Sequence, residues 1–334
     1  MARIRDVAGT GVTGVIAALG ASASWALGSV LFRRVGDDVS PVAMNLGKAV
    51  FALTCLGATL AWVGWQPVDA RTMLCLAGSG LVGIAIGDTL FFSALVSLGP
   101  RLTVLFGGTG PILTVLAAIS VLHERVSWTA GVGIVATLTG MSLATWGSLR
   151  REAAIEALAE PVCAQPGPPV AQRASPGGDV PREPAARRMA SWAGGLMCAV
   201  LAPACMAIGT ILARLGIVEA PVLQGTFIRM LAAVGGLGLW GAVTGRLGVW
   251  LDPFRREGVL TRTVVAGGVV VFGGFCLTLL AIKQLGAALS GALLSTEPLF
   301  VLPLSVVAFA EPVSATEVAG FLLGVAGVVA LFLR

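Results

Sequence analysis

Apolar residues follow one another for about twenty positions at a time, and polar residues gather in the short stretches between these runs. Ten runs can be read: 11–32, 42–63, 72–95, 102–122, 128–149, 192–215, 221–244, 263–282, 287–309 and 316–333. A helix needs roughly 18–20 such residues to cross about 30 Å of hydrocarbon. Barrel strands would instead be short and alternate apolar with polar side chains, which this chain does not do. The pattern predicts an all-α polytopic membrane protein of ten transmembrane helices. The first run follows Met-Ala-Arg-Ile-Arg and could open a cleavable signal. It continues unbroken through Trp25 to Phe32, so it is read as a retained span.

One stretch interrupts the pattern. Residues 149–190 hold seven of the seventeen prolines and eleven of the 39 charged residues, with almost no aliphatic periodicity. Such a segment cannot bury enough apolar surface to order itself and reads as a flexible linker outside the bilayer. It separates a first five-helix half, 1–148, from a second, 191–334. Composition agrees with a membrane setting: 56% of residues are hydrophobic, 12% are charged and the mean hydropathy is +0.92. A soluble domain carries about 25% charged residues. The expected location is therefore a cell membrane, with multiple passes and lipid as neighbour. The net charge of +5 lies mostly in loops and suits anionic headgroups. No basic patch with interleaved aromatics points to nucleic acid. The six cysteines form no CxxC pair, and no metal or cofactor is expected.

The two halves are copies. Residues 98–129 align without a gap with 285–316 at an offset of 187, matching Gly99/Gly286, Thr109/Thr296, Pro111/Pro298, Glu124/Glu311, Val126/Val313 and Ser127/Ser314. Gly133/Gly320 and Gly140/Gly327 continue the match. Earlier in each half, Gly28/Gly209, Arg33/Arg214 and the cations Lys48/Arg229 share an offset of 181. Five spans per copy force the second into the membrane from the opposite side. Inverted repeats of this kind build many secondary transporters, whose sites lie at mid-depth where Gly/Pro-interrupted helices of the two halves correspond. Gly107-Gly108-Thr109-Gly110-Pro111 and Ser295-Thr296-Glu297-Pro298 are such a pair. A proline removes one backbone donor and frees the carbonyl four residues earlier, tolerable in a bilayer only against protein or a water-filled cavity. Gly108, Thr109, Pro111, Thr296, Glu297 and Pro298 are therefore candidate substrate-binding positions.

With those residues in view, the chain resembles the drug/metabolite transporter superfamily, as a protein with two EamA-like domains. The resemblance rests on the five-plus-five plan and on a repeated pattern: Leu98-Gly99, Pro111, Glu124, Val126-Ser127, Gly133, Gly140, then Leu285-Gly286, Pro298, Glu311, Val313-Ser314, Gly320, Gly327. It implies transport of a metabolite without ATP hydrolysis, usually export. It also implies both termini in the cytoplasm. Small four-helix relatives carry a proton-binding glutamate in their first helix. Here that helix offers only Ser22, Ser24 and Trp25, so their mechanism does not carry over.

Four ionisable residues fall inside predicted helices: Lys48, Asp88, Arg229 and Glu297. Each costs about 2.5–3.5 kcal/mol to insert, so a paired or cavity-facing group is the default reading. Counting from the helix ends places Lys48 and Asp88 about 10 Å deep from one side, and Arg229 and Glu297 about 12–15 Å deep from the other. Two ion pairs are expected, Lys48–Asp88 and Arg229–Glu297, able to hold a zwitterionic solute or exchange a proton with it. Glu124 and Glu311 read instead as structural corners, and Ser314-Ala-Thr-Glu317 fits a capping box. His123 at that corner is expected to be solvated.

Enzyme motifs are missing. His123 is followed by Glu-Arg-Val-Ser and not by the HExxH of a zinc protease, no GxSxG elbow occurs, and GGTG lacks a Gly-Lys-Ser/Thr ending. Asp88 is the lone aspartate within a predicted span, where an aspartyl protease needs two. The function expected is a secondary transporter, an exporter of a small metabolite such as an amino acid, acting as monomer or homodimer. A lipid-handling protein or a non-transporting scaffold is the alternative. Arginine and lysine number thirteen on the linker side of the membrane against seven on the terminus side. The positive-inside rule thus opposes the orientation that the resemblance implies.

Overall fold

The computed structural model describes residues 2–36, 39–163, 185–256, 258–300 and 314–332. The described elements are helical, the longer ones in the order α1 (Ala2–Gly36), α2 (Pro41–Val63), α3 (Ala70–Ser79, Gly80–Asp88 and Thr89–Gly107 in sequence), α4 (Thr109–Ser120), α5 (Trp128–Cys163), α6 (Ala185–Ile217), α7 (Val222–Val243), α8 (Val259–Val269, Val270–Cys276 and Leu277–Leu285), α9 (Ala287–Leu294, then 297–300) and α10 (Ala315–Phe332), with short turns of helix at Leu247–Leu251 and Asp252–Arg255 between α7 and α8. Among the described residues, seven helices are long and apolar enough to cross a membrane: α1, α2, α3, α5, α6, α7 and α8. The fourth and tenth predicted spans coincide with shorter apolar helices, Thr109–Ser120 and Ala315–Leu331. The ninth is followed as far as residue 300, and Glu311 lies outside the described residues. The protein is a multi-pass integral membrane protein.

Two boundaries differ from expectation. Helix α5 runs on to Cys163 and α6 begins at Ala185, so helix enters both ends of the predicted linker. The residues before Cys163 are rich in Ala and Glu, good helix formers despite their polarity. Helix α3 continues to Gly107, through the stretch 96–101 read as a connection. In the second half the equivalent turn is made at Gly286, whose φ of 84° lies in the region open to glycine.

Side chains face lipid or protein according to depth and side. Ile16, Leu74, Leu116, Val135, Leu239 and Leu322 are exposed, as expected of surface wetted by acyl chains. Trp62, Trp65 and Trp128 stand exposed at helix ends on the terminus side, with Trp146 and Trp240 towards the linker side. Amphipathic rings settle at that level of a bilayer.

The halves are interlocked and do not sit side by side. Helix α1 packs along α8 and α9, while α6 packs along α3 and α4. Each half thus lends its first helix to the third and fourth of the other. Helices α2 and α7 meet each other, as do α4 and α9. Helices α5 and α10 form the most extensive contact. There, a methyl on Gly140 would stand 2.7 Å from the Gly320 carbonyl oxygen, and one on Gly133 would stand 3.1 Å from that of Gly327. The two contacts are images of each other under the repeat, since Gly133 matches Gly320 and Gly140 matches Gly327. Close approach of backbones on small residues is a main source of attraction between helices in lipid, where the hydrophobic effect is absent.

Candidate functional site

The broken helices come first. In α9, Pro298 cannot donate to the Leu294 carbonyl, and the helix loosens at Ser295-Thr296. The buried hydroxyl of Ser22 on α1 donates toward the carbonyls of Leu293, at 3.2 Å, and Leu294, at 3.3 Å. Thr296 Oγ1 also donates to Leu293 at 2.6 Å. The break is thus met by protein hydroxyls, Thr296 of α9 itself and Ser22 of the other half, whose proton also has the Ala18 carbonyl within reach at 3.1 Å. In α4 the interruption falls at Gly108; Thr109 is exposed there and turns its hydroxyl back to the Phe106 carbonyl at 2.6 Å. Gly110, beside Pro111, packs against Pro203 of α6. Pro203 occupies the position that Ser22 holds in the first half, at the offset of 181. The two breaks are therefore braced by equivalent positions of the swapped helices. Further along, Thr114 of α4 rests on Gly291 of α9.

A charged centre lies where α2 meets α3. Lys48 Nζ is 2.6 Å from Asp88 Oδ2, the ammonium side chain 4% exposed and the carboxylate 18%. The predicted first ion pair is formed. Three rings from three helices surround the ammonium: Trp25 of α1 at 5.9 Å, Phe92 of α3 at 5.6 Å and Phe275 of α8 at 5.3 Å. Trp25 and Phe275 meet edge to face at 4.8 Å, and the Trp25 indole donates to Thr278. Such ring faces add an attraction of about 2 kcal/mol for a desolvated cation, beside the larger compensation that Asp88 supplies.

Asp88 ends a π-helical stretch, Gly80–Asp88, and α8 carries its counterpart at Val270–Cys276. Wide turns of this kind displace the ladder and concentrate at functional sites. In the first, Asn45 Nδ2 donates to the Ile84 carbonyl at 2.9 Å and to Thr89 Oγ1 at 3.2 Å. In the second, Thr226 lies beside Cys276 and its hydroxyl donates back to the Val222 carbonyl at 2.8 Å. Thr226 is the repeat equivalent of Asn45, and Cys276 that of Thr89 when the offset of 187 is carried back into the third helices. The same alignment sets Phe275 opposite Asp88.

That exchange overturns the second predicted pair. Among the described residues no ion pair joins Arg229 to Glu297. Arg229 is 7% exposed, and its Nε and Nη1 are buried without a hydrogen-bond partner. The carboxylate whose field reaches it is that of Asp88. Height within the membrane matches for Arg229 and Glu297, but the α7 backbone at Arg229 packs directly on Gly80 of α3. Lys48 holds Asp88, so Arg229 is left as an excess positive charge in a low-dielectric place, which is expensive unless an anion compensates it. Glu297 is partly buried at the α9 break with no ion-pair partner among the described residues.

Sequence reasoning found Lys48, Asp88 and Arg229 but missed Phe92, Phe275 and Asn45. Comparing the third helices of the two halves would have exposed Phe275 in place of Asp88.

A second charged cluster closes the terminus side. Glu124 accepts from Arg214 Nε at 3.1 Å and from the backbone N–H groups of Ala287 and Ala288 at 2.8 and 2.9 Å. It thereby caps α9, and a side chain on Gly286 would strike its carboxylate. Arg214 also donates to the Lys283 carbonyl and Lys283 to that of Ala220. The predicted corner is structural, as expected, yet it ties the first half to the second. Arg33 and Glu311, the equivalents for the linker side, carry no described side chain. Beside this cluster a cavity of about 380 Å³ is lined by Asp69, Arg71, Thr72, Glu124, Arg214 and Glu219. Asp69 caps α3 through the Thr72 N–H, and those hydrogen bonds hold its carboxyl below the usual aspartate range. His123 is exposed, with a φ of 51°. The predicted capping box forms: Ser314 N–H reaches Glu317 at 2.6 Å and Glu317 N–H reaches Ser314 at 3.2 Å. No group of metal-binding residues occurs among the described residues.

Comparisons with known proteins agree with this architecture. The profile of the EamA-like transporter family matches residues 12–146 and again 193–333, one match per half. A Bacillus subtilis (strain 168) protein, the uncharacterized transporter YvbV, is 26% identical over 149 residues. That alignment spans 43% of this chain and 48% of the relative, about half its length. A protein of known crystal structure superposes with a TM-score of 0.64 over 96% of this chain and 95% of its own, at 18% identity, a likeness of fold alone. With both halves matched, the chain belongs to the EamA-like transporter family, within the drug/metabolite transporter superfamily.

Proposed function

We propose that the protein is a secondary transporter that exports a small metabolite such as an amino acid, by alternating access around the Lys48–Asp88–Arg229 centre. The observation that carries this reading is the meeting of charges from both halves in the membrane interior: Lys48 and Asp88 from the first, Arg229 from the second. Charged residues at that depth are retained for pathways and binding, since a merely structural role is filled more cheaply by apolar packing.

The lining offers two kinds of chemistry. The faces of Trp25, Phe92 and Phe275 hold the Lys48 ammonium, and the unpaired Arg229 is the charge that fixes a solute's polar end. The α4 and α9 breaks, at Gly108–Pro111 and Thr296–Pro298, supply the bends about which the halves move. Glu297 and Asp88 are the carboxyl groups through which a proton is exchanged during the cycle. On the terminus side, Glu124 holding Arg214 and the start of α9 is the contact that opens and closes. Energy comes from solute and ion gradients, and no bond of the solute is broken.

Counterflow tests it. Sealed proteoliposomes preloaded with an unlabelled solute, over a panel of amino acids and related metabolites, should transiently accumulate the labelled solute without ATP. Accumulation of none of them, with a fluorescent lipid crossing the bilayer instead, would assign the protein to lipid handling.

A further inference from the structure

We infer that Arg229 is an anion subsite that takes the carboxylate of the transported solute, so that substrates are carboxylates. This rests on the transport reading above and adds the substrate class to it. Three observations converge. Arg229 is buried, and two of its nitrogens lack any partner, whereas Lys48, its repeat equivalent, is fully engaged by Asp88 and three rings. The residue that would have supplied a second carboxylate is Phe275, so the half containing Arg229 brings a cation without its anion. The neighbouring charges, Lys48 with Asp88, already cancel, leaving Arg229 as the net charge of the centre.

A guanidinium is a planar fork of five N–H donors that fits a carboxylate with two parallel hydrogen bonds. Its weak hydration relative to an ammonium makes it the better choice for a buried anion site. The geometry also locates the rest of the solute. Phe275 and Cys276 are consecutive on α8, the first against Lys48 and the second near Arg229. A carboxylate at Arg229 thus leaves the remainder of a small molecule beside α8, next to the Lys48 cage. An amide or amine analogue would leave Arg229 unpaired and keep the buried positive charge uncompensated, which is the usual origin of strong discrimination by polar sites.

The test uses purified full-length protein in nanodiscs, with calorimetric titration of L-leucine, L-threonine, L-phenylalanine and 4-methylpentanoate, each against its carboxamide. At least one acid should bind, its carboxamide at least tenfold more weakly, and Arg229→Gln should weaken the acid tenfold or more while leaving the carboxamide unchanged. Arg229→Lys should recover part of the loss. Because the apo protein harbours an unpaired cation, Arg229→Gln should unfold at the same temperature as the wild type or higher. Binding of acid and carboxamide alike, equal acid binding by wild type and Arg229→Gln, no binding of any acid, or a large fall in unfolding temperature would overturn the assignment. Counterflow with the same proteins in sealed proteoliposomes separates the two readings: carboxylate binding without counterflow leaves the subsite and removes transport, and counterflow indifferent to the carboxylate does the reverse.

Discussion

At the scale of single residues, the centre is a balance among charges that the bilayer makes expensive. Lys48 lies 2.6 Å from Asp88 within three aromatic faces, so removing one partner strands the other. Asp88→Asn should lower stability by about 3–5 kcal/mol, the cost of orphaning a buried charge. The double variant Lys48→Met with Asp88→Asn should recover most of that loss while transport stays abolished. Denaturant unfolding in detergent, paired with counterflow, reads both quantities; recovery of transport with stability would reduce the pair to scaffolding. Depth along a helix was legible here because Lys48 and Asp88 can be counted from helix ends. The pairing of Arg229 with Glu297 was not, because counting gives height but not the direction in which a side chain points around its helix. The α7 backbone at Arg229 packs on Gly80 of α3, and no ion pair joins its guanidinium to a carboxylate among the described residues.

At the scale of helices, the two broken spans and the glycine seam carry the architecture. The breaks were readable from proline chemistry alone; what braces them was not, since Ser22 and the Leu293 carbonyl stand 271 residues apart. Nor did periodicity reveal the π-helical stretches of α3 and α8, which apolar residues with glycine permit but do not announce. The seam between α5 and α10 was visible only as matched glycines, with no sign of which pairs touch. Gly140→Leu should force the helices apart, because even a methyl there would overlap Gly320 and Gly324. Overpacking costs about 1–3 kcal/mol where the neighbour can yield, and backbone yields little, so the upper end is expected. Gly131→Leu, with open space around its α-carbon, should change stability by less than about 0.5 kcal/mol. Thermal unfolding of the two variants checks the seam, and equal stabilities would refute it.

At the scale of the whole molecule, duplication explains more than any single motif. It accounts for the inverted halves, for the exchange of α1 and α6 between them, and for paired contacts such as Gly133 with Gly327 and Gly140 with Gly320. It also makes each departure from symmetry informative: Phe275 for Asp88 strips Arg229 of its partner, and Pro203 for Ser22 changes how a break is braced. The fold class and the two halves could be read from hydropathy and self-comparison. The swap could not, because a repeat states what is equivalent and not what is adjacent.

The central claim is that this interlocked pair exposes one charged centre to each face of the membrane in turn. Cys276, beside Arg229 and half-buried, reports on that directly. A variant keeping Cys276 as its sole cysteine is treated with a membrane-impermeant thiol reagent, from outside in right-side-out vesicles and again in inverted ones. The account expects modification from both faces, with joining of positions 124 and 287 by an engineered disulfide abolishing it from the terminus side alone. Modification from one face only, unaffected by that lock, would contradict it.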